Sequence, residues 1–321
     1  MTTAHLECVN ARSAEEFVRA LLPSRRTWPG DPMDWVFRGV SDASWPLLPK
    51  ALRRKPIPLL QFGEGRSWLR TSHYSQVEAE YWLLWDFFRA ANTHGLAIPE
   101  DSQLYRSPES FKKIQQKFEA ARTGMGAWPF DEIISLAALA QHYGVATRLL
   151  DWSNRPLIAA YFAAIGAAAA AVGKRARSLK TKRLAVWCLN WRYIWKRWPG
   201  EDPDKIEVML VTAPRASNPN MHAQGGLFTV DMTRPASGSS SVYRKPLDNL
   251  IARTLERRGI PFPVMRRITA PVSKANAILR LLGGHGVSAA SVYPGFAGVV
   301  QYLEEWNLWD RGPPNGDLAV V

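Results

Sequence analysis

The stretch "LAALAQHYGVATRLLDWSNRPLIAAYFAA", residues 136–164, predicts a helix, a tight turn, a strand and a second helix. Both ends are apolar, and Gly144 supplies the bend between the first helix and the strand. Polar groups are crowded between the two helices, at Gln141, His142, Tyr143, Thr147, Arg148, Asp151, Trp152, Ser153 and Asn154. A polar segment between two core helices raises the question of a functional site.

The composition favours a folded globular protein. The chain has 321 residues, of which 46% are hydrophobic and 11% aromatic. Cys8 and Cys188 lie far apart without C-x-x-C spacing, so neither a disulfide framework nor a zinc site is predicted, and a reducing cytoplasm fits best. The first residues include acids where a signal peptide needs an apolar run, so we expect no secretion signal.

The longest uncharged segment is 157–173, which is short for a membrane span and rich in alanine. It predicts a buried core helix, and we expect no membrane association.

The chain is basic, with a formal net charge of +13, which attracts polyanions without identifying one. Nine Lys and Arg residues and no acids lie between Lys174 and Gly200, interleaved with aromatic residues. Such a segment suits nucleic acid, because aromatic rings stack on bases and cations contact phosphates; the alternative is a solvated basic loop. The candidate contacts are Lys174, Arg175, Arg177, Lys180, Lys182 and Arg183.

Helix signals recur along the chain. Ser13 and Glu16 form a capping box that opens a helix through Leu22, and Ser75 and Glu78 form a second box that opens another helix. Further helices are predicted at 109–122, 132–143, 248–258 and 273–286.

Strand signals appear at 34–40 and in three apolar runs, 183–189, 206–213 and 226–232. Helices dominate the first half of the chain, and strands alternate with helices in the second. We therefore predict the α+β class.

Common catalytic and metal motifs are absent from the sequence. It has no G-x-x-x-x-G-K-[ST], G-x-G-x-x-G, H-E-x-x-H or G-x-S-x-G. Its six histidines are scattered without ligand spacing, so no metal is expected. A Ser-His-Asp hydrolase made from Ser153, His142 and Asp151 is unsupported by any sequence motif.

Four segments together resemble the FRG domain family, which is named for the Phe-Arg-Gly found here at 37–39. The segments are "WVFRGVSDASWPLLPKALRR" (35–54), "LAQHYGVATRLLDWSNRPLIAAYFAA" (139–164), "NPNMHAQGGLFTV" (218–230) and "ANAILRLLGGHGVSAASVYPGFAGVVQYL" (275–303). The resemblance implies one FRG-type domain over 1–321, with helical elaborations at about 60–130 and 245–310. It also suggests a toxin or defence effector.

The order of motifs is similar to that of ADP-ribosyltransferases of the Arg-Ser-Glu type. Arg38 precedes Ser153, which is followed by the Ala-Ala-Tyr-Phe-Ala of 159–163, and Gln224 follows in a turn before a strand. The resemblance implies an ADP-ribosyltransferase-like mixed sheet core with flanking helices, NAD as substrate and a macromolecular acceptor. The implied catalytic residues are Arg38, Ser153 and Gln224, and the implied NAD-binding residues are Arg38, Gly39, His142 and Ser153.

Several of these residues also have structural readings. Arg38 suits a pyrophosphate or ribose, or pairs with a carboxylate such as Asp42 or Asp151. Gly39 lets a ligand approach the backbone. Ser153 contacts a ligand, caps the helix that begins at 154–156, or does both.

The turn before the strand has its own expectations. Gln141, His142, Thr147 and Arg148 are expected to fix this turn, with His142 also open to ligand contact. Arg148 and Asp151 are interpreted as a buried pair.

Position 224 departs from the transferase pattern, because Gln224 cannot supply the negative charge of a glutamate. Asp151 or Asp231 is a possible substitute. The leading hypothesis is therefore an NAD-dependent transferase. The alternatives are a non-catalytic nucleotide- or nucleic-acid-binding module and a scaffold without a small ligand.

Overall fold

The computed structural model describes residues 5–22, 28–53, 72–98, 107–172, 181–195, 207–212, 218–232, 242, 244–260 and 262–308. Within these residues one seven-stranded sheet is formed by β1 (Leu6–Asn10), β2 (Trp35–Val40), β3 (Leu149–Ser153), β4 (Arg183–Asn190), β5 (Val208–Val211), β6 (Gly226–Asp231) and β7 (Met265–Pro271). The strand order is β1-β7-β4-β2-β3-β6-β5. The β1–β7 pair is parallel, and the other five pairs are antiparallel.

The described helices are α1 (Ala14–Leu21), α2 (His73–Thr93), α3 (Pro108–Arg122), α4 (Asp131–His142), α5 (Pro156–Ala171), α6 (Arg192–Trp195), α7 (Pro219–Gln224), α8 (Leu247–Arg257), α9 (Ala275–Gly284), α10 (Ala289–Val292) and α11 (Phe296–Glu305). Short 3-10 helices lie at Pro32–Asp34, Lys50–Leu52, Val272–Lys274 and Trp306–Leu308. The α+β class, with a mixed sheet and flanking helices, is confirmed.

Three apolar clusters bury the sheet. α1, α5 and α9 pack together with β2, β4 and β7, where Phe17, Phe37 and Ile268 are almost fully buried. α8 is part of a second cluster, together with strand residues such as Val36 whose side chains point to the opposite face of the sheet from Phe37. α2, α3 and α4 form the third with β3, β5 and β6.

α5 is the predicted core helix, and it lies in the first of these clusters. Pro156 occupies a first-turn position, where its missing N–H removes no helix hydrogen bond. Its alanines at 159, 160, 163 and 164 are buried, which lets the helix lie close to the sheet. No helix in the described ranges combines the length and the apolar character needed to cross a bilayer.

Two sequence predictions need correction here. α2 is capped by Ser72, and Ser75 is the third residue of the helix: each serine hydroxyl bonds to the backbone N–H of the other. The predicted box at Ser75 and Glu78 is therefore one turn too late. The segment at 245–310 also contains β7, which lies between β1 and β4, so it is more than a helical elaboration.

Candidate functional site

A cavity of about 350 Å³ opens beside the ends of β2, β3 and β6, where they meet α4, α5 and α7. It is lined by Phe37, Arg38, Gly39, Gln141, His142, Tyr143, Asp151, Trp152, Ser153, Ala159, Phe162, Asn220, Met221, Gln224, Gly226, Leu227, Phe228 and Tyr293. The cavity brings together Arg38, Ser153 and Gln224, although these residues are far apart in the chain.

Arg38 connects β2 and β3 next to the single residue pair that these strands share. β2 and β3 share a single residue pair, Phe37 with Ser153. Beside that pair, Arg38 Nη1 donates to the main-chain oxygen of Asp151 at 2.7 Å and lies 2.7 Å from its Oδ1. Arg38 therefore supplies a contact that the sheet ladder no longer provides, and of the two carboxylates considered for it, Asp151 is the partner.

Asp151 reaches into the cavity from the middle of β3. Its side chain is 63% exposed, whereas that of Arg38 is 12% exposed. Desolvation alone would raise the pKa of the carboxyl, but the Arg38 charge and the hydrogen bonds from Arg38 and Gln141 outweigh it and lower the pKa. Asp151 is thus a carboxylate at neutral pH and borders the open space of the cavity.

Gln141 and Thr147 organise the turn before β3. Thr147 Oγ1 donates to Gln141 Oε1 at 2.5 Å and accepts from the Leu149 amide at 3.1 Å. Gln141 Nε2 donates to the Leu149 carbonyl at 3.1 Å and reaches Asp151 Oδ1 at 3.4 Å. These bonds link the end of α4 to the carboxylate in the cavity.

Arg148 and Asp151 are not a pair, contrary to the sequence interpretation. Arg148 Nε donates to both carboxylate oxygens of Glu80 on α2, at 3.0 and 2.9 Å, and both side chains are buried. Trp128 Nε1 also donates to Glu80, at 2.8 Å. Residues three apart on a strand point to opposite faces, and each of the two has found its own partner.

Ser153 uses its hydroxyl within the protein. Its Oγ donates to the Gln224 carbonyl at 2.6 Å and accepts from the Arg155 amide at 2.9 Å. Arg155 is the N-cap of α5 and makes no side-chain cap bond, so the prediction that Ser153 caps this helix is wrong. Ser153 instead ties the end of β3 to the end of α7.

Gln224 is the last residue of α7 rather than part of a turn. Gly225 follows it in the left-handed conformation, with φ of 58°, which ends the helix. The Gln224 side-chain Nε2 donates to the Val292 carbonyl at 3.3 Å, so its amide links α7 to α10.

Gly39 is required by packing. A Cβ there would overlap the carbonyl oxygen of Ala159 and lie 2.8 Å from the amide nitrogen of Ala163. The backbone of α5 occupies the space that a side chain would fill. Packing against α5 therefore requires glycine at this position, whereas the sequence analysis attributed the glycine to the approach of a ligand. In the Phe-Arg-Gly motif, Phe37 is buried and Gly39 admits the helix, while Arg38 reaches Asp151.

His142 lies at the end of α4 and lines the cavity. Burial lowers its pKa, so the ring is neutral at pH 7. Its centroid lies 5.2 Å from that of the exposed Tyr143, in an edge-to-face arrangement.

Sequence reasoning missed the aromatic walls contributed by Phe162 and Tyr293. The sequence analysis identified Phe162 only as part of the Ala-Ala-Tyr-Phe-Ala motif of 159–163. Tyr293 comes from the far end of the chain, and no local signal marks it as a wall of this cavity.

Four of the six candidate nucleic-acid contacts, Lys174, Arg175, Arg177 and Lys180, lie outside the described residues. Lys182 is exposed. Arg183 is held within the sheet, where Nη2 donates to the Ala11 carbonyl at 2.8 Å and Nε to Thr269 Oγ1 at 2.7 Å.

Part of this site lies in a segment that is similar to a known protein family. Residues 33–171 match the model of the FRG domain, a span that includes the Phe-Arg-Gly of 37–39 and the polar segment of 136–164. The chain matches no curated protein and no solved structure. The similarity to the FRG domain thus covers residues 33–171, somewhat less than half of the chain.

Proposed function

We propose that this chain is an ADP-ribosyltransferase-like protein that binds NAD in the 350 Å³ cavity and transfers ADP-ribose to a macromolecule. The supporting observation is that Arg38, Ser153 and Gln224, which follow one another in the order of the Arg-Ser-Glu enzymes, line one cavity. A role as a toxin or defence effector is part of the proposal.

The size and walls of the cavity support a ligand of this class. Small-molecule sites commonly enclose roughly 300–1,000 Å³ and combine apolar walls with a few convergent polar groups. Here Phe162, Tyr293 and His142 offer flat rings to a base or a nicotinamide, and Arg38 and Asp151 are the charged groups.

Asp151 supplies the negative charge that Gln224 lacks. When the bond between the ribose carbon and nicotinamide breaks, nicotinamide leaves with the electron pair and positive charge develops on the ribose. A carboxylate fixed beside that carbon stabilises the charge, because a preorganised anion pays no reorganisation penalty during the reaction. Asp151 is the only acidic residue among the described lining residues.

His142 is assigned the proton transfer. The acceptor group of the macromolecule bonds to the ribose carbon and loses a proton. A neutral imidazole accepts a proton at pH 7, and burial keeps His142 in that form. Arg38 orients both the ligand and Asp151.

A non-catalytic nucleotide-binding module is the second candidate. It is favoured by the hydrogen bonds of Ser153 to the Gln224 carbonyl and of the Gln224 amide to the Val292 carbonyl. Arg38 also bonds to Asp151, so all three expected catalytic side chains are engaged by the protein itself. A binding module needs only Arg38, Gln141 and the aromatic walls.

The test is incubation of the chain with NAD labelled on nicotinamide and on adenine, in the presence of cell lysate. Release of nicotinamide together with adenine label on protein or nucleic acid supports the transferase. Asp151→Asn removes the charge with little change in shape and should abolish release, whereas Glu304→Gln, an exposed site on α11, should not. NAD binding without cleavage in the unmodified chain supports the binding module, and no binding at all rejects both.

A further inference from the structure

A second cavity of about 190 Å³ also borders the contact between Arg38 and Asp151. Its wall includes Lys50 and Arg53, which no motif singled out. The two cavities share Arg38, Gln141 and Asp151 as lining residues. A ligand group in the second cavity would therefore lie one side chain away from the first.

The second cavity is positively charged. Among the described residues, its charged lining residues are Arg38, Lys50, Arg53 and Asp151, three cations and one carboxylate. The pKa of Arg53 is lowered, first by burial and then by the positive charge of Arg38, while Asp151 opposes this. The fold brings these cations together against their repulsion, and an anion placed among them would relieve it.

Hydrogen bonds to main-chain carbonyl groups position Lys50 and Arg53. Lys50 begins the 3-10 helix Lys50–Leu52, and its Nζ donates to the Gly144 carbonyl at 2.9 Å. Arg53 follows that helix, and its Nε donates to the Leu48 carbonyl at 3.3 Å. Both bonds are to main-chain oxygens.

We propose that this second cavity is a phosphate subsite, which takes the diphosphate of NAD while the nicotinamide end occupies the first cavity. The assignment rests on the proposed function. A diphosphate bridge carries one negative charge on each phosphate, which matches the excess of three cations over one carboxylate. Arg and Lys are the side chains that bind phosphate oxygens through charge-assisted hydrogen bonds.

The experiment measures binding by calorimetry for two probes, NAD and inorganic pyrophosphate. The test variant is Lys50→Gln with Arg53→Gln, which removes both charges but keeps an N–H donor at each position. The matched control is Arg89→Gln with Lys112→Gln, which removes two charges from exposed positions on α2 and α3. Thermal unfolding of all three proteins establishes that they are folded.

The expected result is an affinity for NAD that falls by about ten- to a hundredfold in the test variant and stays within about twofold in the control. The affinity of the unmodified chain should also fall more steeply with salt than that of the test variant. Equal NAD affinity in all three proteins overturns the subsite and leaves the proposed function intact. Binding of pyrophosphate without NAD overturns both, because the occupant would then be free phosphate.

Discussion

Arg38 and Asp151 lie 113 positions apart in the chain, yet Arg38 Nη1 lies 2.7 Å from both the carbonyl oxygen and the Oδ1 of Asp151. The contact forms where β2 and β3 have a single residue pair. One guanidinium thus joins two strands and also orients the carboxylate of the cavity. The stability of the sheet and the geometry of the cavity are therefore coupled at this contact.

Arg38→Ala should lower the free energy of unfolding by roughly 1.5–3 kcal/mol, the range for a hydrogen bond that involves a charged group. Urea denaturation measures this change. The exposed Arg89→Ala on α2 is the control and should change stability by less than about 0.5 kcal/mol. Equal losses in the two variants would show that Arg38 does not join the strands.

Gly39→Ala should destabilise the protein even though alanine is a small residue. The added Cβ would overlap the Ala159 carbonyl, and the backbone of a helix cannot move away alone, so α5 has to shift from the sheet. We expect a loss of at least about 1–3 kcal/mol in urea denaturation. Gly284→Ala, where nothing lies within 4 Å of the new Cβ, is the matched control and should be neutral or stabilising. Equal stability of the two variants would refute the packing role of Gly39.

The sequence predicts local structure here better than long-range pairing. The helices at 108–122, 131–142 and 247–257 begin and end within one residue of their predicted limits, because apolar spacing is a local signal. The start of α2 was misplaced because Ser75 and Glu78 match the capping-box pattern in the sequence. In the structure Ser72 is the cap, and Ser75 is its partner. Strands β1 and β7, the first and the last described strands in chain order, were not predicted.

The candidate site was predicted in part for the same reason. Arg38, Ser153 and Gln224 were identified from the order of motifs, and they do line one cavity. The partner of Arg148 was missed because Glu80 lies on a helix 68 positions earlier. Tyr293 and Val292 were missed because only the packing of the last helices brings them to the cavity and to Gln224.

His73 should make the protein less stable in mild acid. Burial lowers its pKa below the ordinary 6.5, with a backbone bond to Ala121 opposing the shift only in part. The unfolded chain then binds the proton more readily than the folded chain, so the free energy of unfolding falls as pH drops below about 6.5 and stops falling below the folded pKa.

His73→Gln tests this dependence, because the glutamine amide can still donate to the Ala121 carbonyl but does not titrate. Urea denaturation between about pH 7 and 5 should give a flatter dependence than in the unmodified chain. The pKa of His142 is also lowered by burial, so this residue should account for part of the remaining dependence of stability on pH. The double variant with His142→Gln should therefore give a still flatter dependence. An unchanged slope in His73→Gln would contradict the assignment.

Gln224→Glu tests whether the catalytic negative charge comes from position 151 or from position 224. The Gln224 amide donates to the Val292 carbonyl at 3.3 Å, and an ionised glutamate has no donor to replace it. We expect the free energy of unfolding to fall by roughly 0.5–1.5 kcal/mol, and by a similar amount in Gln224→Ala, because both variants lose this bond. In the proposed function Asp151 supplies the carboxylate, so release of nicotinamide from NAD should not rise in either variant. For the same reason, Gln224→Glu should not restore activity to Asp151→Asn. A tenfold gain in Gln224→Glu that is absent from Gln224→Ala would place the missing charge at position 224. The unmodified chain would then be a nucleotide-binding module on a transferase-like site.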